Sequence, residues 1–105
     1  KDVILAGGDH IPLVEVAGYV SRHPAVAAAA VVAMPDEKWG EVTCAVVELR
    51  AGEILATAEF IEWCRGQMAG FKRPKHVVFG DLPKTSTGKI QKFVLRKKAN
   101  EMGQD

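Results

Sequence analysis

The sequence predicts an α+β fold: a small, mainly antiparallel three-stranded sheet with helices packed on it, plus a short N-terminal strand and loop. Three observations carry that expectation. Two apolar, strand-like runs, Val26–Pro35 and Val42–Arg50, flank a short polar turn. Helical and strand-like segments alternate with no repeat and no long linker between them. The 105 residues, 48% hydrophobic and 26% charged, suffice for one domain with a modest core and exclude a disordered chain.

The elements follow in order. Asp2–Leu5 (DVIL) reads as a short strand, and AGGDHIP as a loop, because Gly7 and Gly8 tolerate backbone angles that other residues resist. Pro12 suits the first turn of a helix; Leu13, Val16, Ala17 and Val20 recur at helical spacing, and His23-Pro24 stops the run, so a short amphipathic helix is expected over 12–22. Val26–Pro35 is alanine-rich but short, uniformly apolar and bounded by prolines, which favours a buried central strand. DEKWGE is the turn, and the β-branched run Val42–Arg50 is the second strand, paired antiparallel with the first. Thr57 is placed to cap a helix with Glu59 in its first turn; Phe60, Ile61, Cys64 and Met68 share one face, and Gly70 ends it. His76–Phe79 (HVVF) is the third strand. Ile90, Phe93 and Val94 begin a last helix whose other face carries Lys92, Arg96, Lys97 and Lys98.

Charge is unevenly spread. Residues 1–70 hold 5 Lys/Arg against 10 Asp/Glu, whereas residues 71–105 hold 9 against 3. A basic third of this kind suggests a face that meets an anion, or a solubilising tail. No apolar run approaches the ~18 residues of a membrane span and no signal-peptide pattern opens the chain, so a cytoplasmic location is expected with no transmembrane segment. Cys44 and Cys64 lie far apart in apolar contexts without metal spacing, as reduced buried thiols would. The chain opens on Lys1 and reads as a fragment of a longer protein.

Four stretches bear on chemistry. In KTSTGKI, a Walker phosphate loop is excluded because Pro83 stands at its first glycine position and Ile90 at its Mg²⁺-binding hydroxyl. What remains is a turn able to carry Lys89 into a neighbouring site, where a compact ammonium beside a phosphoryl group contributes about 4 kcal/mol at an effective dielectric near 20; the plain alternative is an exposed loop lysine. In FKRPK, Phe71 offers a flat face for a purine, Arg73 and Lys75 offer charge for phosphates, and Pro74 stiffens the spacing; a simple helix-to-strand connector stands beside that reading. In AGGDH, Gly7 and Gly8 would let backbone approach a ligand, or make a plain turn. Trp39, among charged neighbours, and Trp63 read as packing residues, and Asp36, Glu37 and Glu41 form no arguable metal site, so no metal-ligating residue is assigned.

Three of these stretches, in order, resemble one family. LPKTSTGKI is similar to the P-K-T-x-x-G-K-I motif near the carboxyl end of adenylate-forming (AMP-binding) enzymes; KDVILAGGDHIPLVEVA resembles their hinge-and-loop motif; HPAVAAAAVVAMPDEKWGEVTCAVVEL resembles the middle of acyl-CoA synthetases. The resemblance implies a single mobile C-terminal domain, residues 1–105, of an acid–CoA ligase of the fatty-acid–CoA ligase type, whose N-terminal ATP- and acyl-binding domain is its partner. That family first makes an acyl-adenylate and pyrophosphate from a carboxylic acid and ATP, then transfers the acyl group to CoA. ATP and CoA are implied as co-substrates, with Mg²⁺ bound mainly by the other domain. Lys89 falls on the lysine that bridges carboxylate and phosphates, and that lysine is a target of charge-erasing acetylation. Lys1 falls on the hinge; Gly7 and Gly8 fall on the loop lining the pantetheine tunnel; Phe71, Arg73 and Lys75 fall on positions holding the nucleotide end of CoA. Asp9 and His10 depart from the usual Glu and Asn, and Pro12 is unusual. An adenylation domain loading a carrier protein is the alternative within the family. A basic nucleic-acid binder is disfavoured, since Phe71, Phe79 and Phe93 are too few for a stacking platform, and a stand-alone interaction module is the remaining class.

If the family resemblance holds, the chain by itself should neither form an acyl-adenylate nor release pyrophosphate. A pyrophosphate-release assay on the 105-residue chain tests this, and turnover by it alone would contradict the fragment reading.

Overall fold

A computed structural model of the chain describes residues 3–6, 9–68 and 73–103. The described elements are β1 (Val3–Ala6), β2 (Asp9–Pro12), α1 (Leu13–Val20), β3 (Val26–Asp36), β4 (Gly40–Leu49), α2 (Thr57–Arg65), β5 (His76–Phe79) and α3 (Lys92–Gly103). The α+β class is as the sequence predicts.

β4 is the centre of the sheet. Along one edge it pairs antiparallel with β3, from Asp36↔Gly40 to Val26↔Leu49. Along the other it pairs with β5, Cys44↔His76 to Val47↔Phe79, and the β1–β2 hairpin attaches to it through Ala6↔Gly40. The β3–β4 turn has a local cause: the Asp36 carboxylate accepts the backbone N–H of Lys38 and of Trp39 (3.0 and 2.9 Å), and Gly40 takes φ +86°.

Both faces of the β3–β4 pair are covered. Val31, Ala33, Ala45 and Val47 point to a core shared with Val16 and Val20 of α1 and Phe60 and Cys64 of α2. Ala30, Val32, Met34, Val42, Cys44 and Val46 point to the opposite core, closed by Leu82 and by Leu95 and Ala99 of α3. A strand buried on both sides has no polar alternation to keep, which is why the two runs read as continuously apolar.

Three local expectations change. The AGGDHIP loop contains a strand: Ile11 pairs with Ile4, both are buried, and Pro12 ends β2 with φ −77° and ψ 115° instead of lying inside α1. The sheet is mainly antiparallel as expected, with β5 alone running parallel to β4 and α2 as the crossover that parallel neighbours require. Thr57 makes no capping hydrogen bond; Ala56 holds the N-cap position, its carbonyl accepting the Phe60 N–H at 3.0 Å. α3 starts at Lys92 and buries Leu95 and Ala99, one turn apart, while Phe93 is 63% exposed; Ile90 bridges to Lys84 before the helix begins. Helix α2 ends at Arg65, and Gly70, expected to stop it, lies outside the described residues. No helix among the described residues is long and apolar enough to cross a membrane.

Phe60 is fully buried and its ring meets His23 at 5.4 Å, Trp63 at 5.8 Å and Phe79 at 6.0 Å, joining α2 to β5 and to the segment after α1. Phe60→Ala is expected to cost about 3–5 kcal/mol, read as a lowered urea midpoint with an unchanged slope.

Candidate functional site

The segment carrying Lys89 is a small, cross-bonded hairpin. Leu82 is buried in the α3-side core and anchors its start. Gln91 N–H donates to the Pro83 carbonyl at 2.8 Å, and Lys84 and Ile90 form an antiparallel bridge. Inside that bridge one residue does most of the bonding. Thr85 donates its N–H to the Lys89 carbonyl (2.8 Å), its Oγ1 accepts the Lys89 N–H (3.1 Å), and its carbonyl accepts the Gly88 N–H (2.9 Å). The Thr85 and Thr87 hydroxyls share a further hydrogen bond at 3.0 Å. The turn closes because Gly88 adopts φ +87°, which costs a residue with a Cβ dearly. The Lys89 backbone is thus held from both sides, while its side chain is exposed and has no hydrogen-bond or ion-pair partner among the described residues.

The other lysine of the hairpin is engaged. Lys84 Nζ lies 3.4 Å from Glu48 Oε1, at the end of β4, and the same oxygen accepts the Leu82 N–H at 3.0 Å. The Leu82 hydrogen bond, helped by the Lys84 charge, holds the Glu48 carboxyl below its ordinary pKa of 4.5 against a smaller opposing push from burial.

At the other end of β5, the FKRPK connector is stitched to β4 by Thr43, the one buried polar side chain among the described residues. Thr43 Oγ1 donates to the Arg73 carbonyl (3.2 Å), and the Thr43 carbonyl accepts the Lys75 N–H (3.1 Å). Pro74 is buried, Lys75 is exposed and Arg73 is half-buried. Burial pushes the Cys64 thiol up to about 11, partly opposed by the nearby Arg73 guanidinium; Cys44 is likewise pushed up to about 11, and both thiols are free. Lys1, Gly7, Gly8 and Phe71 lie outside the described residues. Of the AGGDH departures, His10 is exposed on β2 opposite Leu5.

These groups do not converge. Thr43, with Arg73 and Lys75, lies near the start of β4, the end where Ala6 of the β1–β2 hairpin also pairs; Glu48, with Lys84 and Lys89, lies at its finish. Five residue steps along the strand separate the two anchors, or ~17 Å. A cavity of about 190 Å³ does lie between the sheet and α3, among Cys44, Val46, Val78, Phe79, Leu95 and Lys98, but neither Lys89 nor Arg73 nor Lys75 lines it. Among the described residues no cluster of three His, Cys, Asp or Glu side chains could hold a metal ion. Sequence reasoning missed Thr43 and Glu48, the two side chains that fix these segments; an isolated hydroxyl and an isolated carboxylate within a strongly apolar strand were the available signals.

Residues 15–89 match the family model described as AMP-binding enzyme C-terminal domain. An acetate–CoA ligase of Humulus lupulus is 49% identical over 98% of the chain, and a 4-hydroxybutyrate–CoA ligase of Metallosphaera sedula is 46% identical over 94%. The chain spans 19% and 18% of those two proteins. Among solved structures, ATP-bound MatB from Rhodopseudomonas palustris superposes with a TM-score of 0.90 at 34% identity, covering 98% of this chain and 21% of that one. A Mycobacterium tuberculosis fatty acyl CoA synthetase superposes at 0.87 and 36%, covering 97% and 20%.

Gly88→Ala meets no atom within 4 Å, so its cost is conformational alone, about 1–2 kcal/mol. Gly80→Ala, equally unobstructed but free of a positive φ, is expected to stay within about 0.5 kcal/mol of the parent. Urea unfolding of the two variants side by side checks the difference.

Proposed function

Because the chain belongs to the AMP-binding enzyme C-terminal domain family, we propose that residues 1–105 are the mobile C-terminal domain of an acid–CoA ligase, working against an N-terminal domain that supplies the ATP and acyl pockets. The observation that carries this reading is the separation of two cationic groups to opposite ends of β4. One end carries a lysine whose ammonium is unpaired among the described residues; the other carries Arg73 and Lys75, tied to Thr43 three residues along β4 from Gly40, where Ala6 of β1 pairs. A two-step reaction gives each end its own task.

In the first step a carboxylate oxygen of the acid attacks the α-phosphorus of ATP, and pyrophosphate leaves. Both reactants are anionic. Lys89, on its bonded hairpin, places a cation between them, reducing their repulsion and stabilising the charge that builds on the transferring phosphoryl group. In the second step the CoA sulfur attacks the acyl carbonyl, the thiol proton is lost, and AMP leaves. Arg73 and Lys75 take the phosphates at the nucleotide end of CoA, Phe71 stacks on its base, and Gly7 and Gly8 let backbone close on the pantetheine arm. Lys1 is the hinge. Mg²⁺ is left to the N-terminal domain, and no step here depends on its placement; among the described residues no group of three His, Cys, Asp or Glu side chains is placed to hold a metal ion. The free, buried thiols of Cys44 and Cys64 suit a reducing compartment such as the cytoplasm.

In the full-length enzyme, Lys89→Ala is expected to lower pyrophosphate release ~10²–10³-fold or more while largely sparing thioester formation from supplied acyl-adenylate. Arg73→Ala is expected to do the opposite, raising KM for CoA more than KM for ATP. Equal losses in both half-reactions for Lys89→Ala, or an unaltered CoA KM for Arg73→Ala, would return that residue to a structural role.

A further inference from the structure

Glu48 is out of place by composition. It follows Val42–Val47, six consecutive buried residues, and continues the side of β4 that faces α3 and Leu82. Glutamate is a poor strand former, and its side chain here is only 23% exposed, so solubility does not account for it. Its contacts do. The β4–β5 ladder ends at Val47↔Phe79, with one more bond from Gly80 N–H to the Val47 carbonyl at 3.0 Å. Past that point the chain peels away from the sheet, and the Leu82 N–H is caught by the Glu48 carboxylate at 3.0 Å. The pairing is thereby extended by a side chain to the residue from which the lysine hairpin springs.

The second Glu48 contact selects between two cations. Lys84 and Lys89 stand on opposite arms of one hairpin, at or beside the Lys84↔Ile90 bridge. Glu48 draws the Lys84 ammonium toward the sheet at 3.4 and 3.5 Å from its two oxygens, leaving Lys89 unengaged. We propose that Glu48 is a positioning residue for Lys89: by gripping both the Leu82 N–H and the Lys84 ammonium it fixes the root of the hairpin and leaves Lys89, not Lys84, free to meet the reacting anions. This rests on the role given to Lys89 above. The bond to Leu82 is the shorter contact, 3.0 Å against 3.4 and 3.5 Å for Lys84, and it holds backbone directly. Small displacements matter in such a site because the reacting groups tolerate little misplacement.

The test uses the full-length enzyme and reads three quantities for each variant: pyrophosphate release, thioester formation from supplied acyl-adenylate, and melting temperature. Glu48→Leu removes both contacts and is expected to lower kcat for pyrophosphate release about 10-fold, with the thioester step within about twofold of the parent. Glu48→Gln keeps an acceptor for the Leu82 N–H and is expected to restore pyrophosphate release to within about threefold. Glu48→Asp keeps the charge but withdraws the carboxylate by one methylene; it is expected to lose severalfold in the first step alone, and it carries the test should the leucine variant not fold. Parallel losses in both steps that follow the melting temperature, or an unchanged first step in both Glu48→Leu and Glu48→Asp, would overturn the proposal. Lys89→Ala, run alongside, separates the two levels: if it leaves pyrophosphate release intact, the role of Lys89 itself fails, whereas a loss there with no effect at Glu48 overturns only the positioning role.

Discussion

Everything in this domain depends on β4 being bonded along both edges and covered on both faces. The ladder to β3 sets its register, and the core residues of α1 and α2 on one side and of α3 on the other hold it against sliding. A one-residue slip would exchange its two apolar faces, moving Val47 into the space of Val46. Because that slip is costly, the polar side chains of β4 have fixed positions, and the segments hung from them inherit that precision. Thr43 holds the FKRPK connector and Glu48 holds the root of the lysine hairpin. The residues that would meet a ligand lie on loops, and the residues that would aim them lie on the strand bonded along both edges and covered on both faces.

The hairpin shows how a loop gains order without a core. Thr85 uses its N–H, its carbonyl and its hydroxyl, and Gly88 supplies the one backbone angle that closes the circuit. The Lys89 side chain, exposed and unengaged among the described residues, pays little desolvation in the free domain. Its charge acquires weight only when a second surface excludes water around it, since the same pair of charges interacts about fourfold more strongly at an effective dielectric near 20 than in bulk water. A cation presented this way is weak alone and strong on docking, which suits a domain that carries its chemistry to a cleft built elsewhere.

Much of this was legible in the sequence because burial is written in apolar runs. The two central strands, α1, α2 and β5 all stand close to where periodicity and β-branched content put them, and the ordered motifs fixed the family. What escaped was set by partners distant in sequence. β2 is four residues long, and its pairing with β1, from Val3↔Pro12 to Ala6↔Asp9, is what makes it a strand. The direction of β5 was implicit in the order strand, helix, strand, since a crossover helix favours parallel neighbours, but four residues carry no mark of direction. In α3 the choice between Phe93 and the pair Leu95 and Ala99 turned on which side met β3, and the smaller residues fit the close approach. Thr43 and Glu48 escaped for the same reason: their partners lie 30 and 34 positions away.

The distance between the two ends of β4 limits how the proposed reaction can run. The anchors Thr43 and Glu48 are ~17 Å apart along the strand, so in the proposed reaction the Lys89 end and the Arg73 end would be presented one at a time. The strand between the anchors is packed on both faces and bonded on both edges, and packed cores deform discretely, not continuously. The proposed two-step reaction therefore calls for motion of the domain as a body about a point outside the sheet. In the proposed mechanism the rigidity of β4 would matter directly: a stiff strand would convert one rotation of the domain into the withdrawal of one cationic end and the arrival of the other, so that the two half-reactions would exclude each other in time.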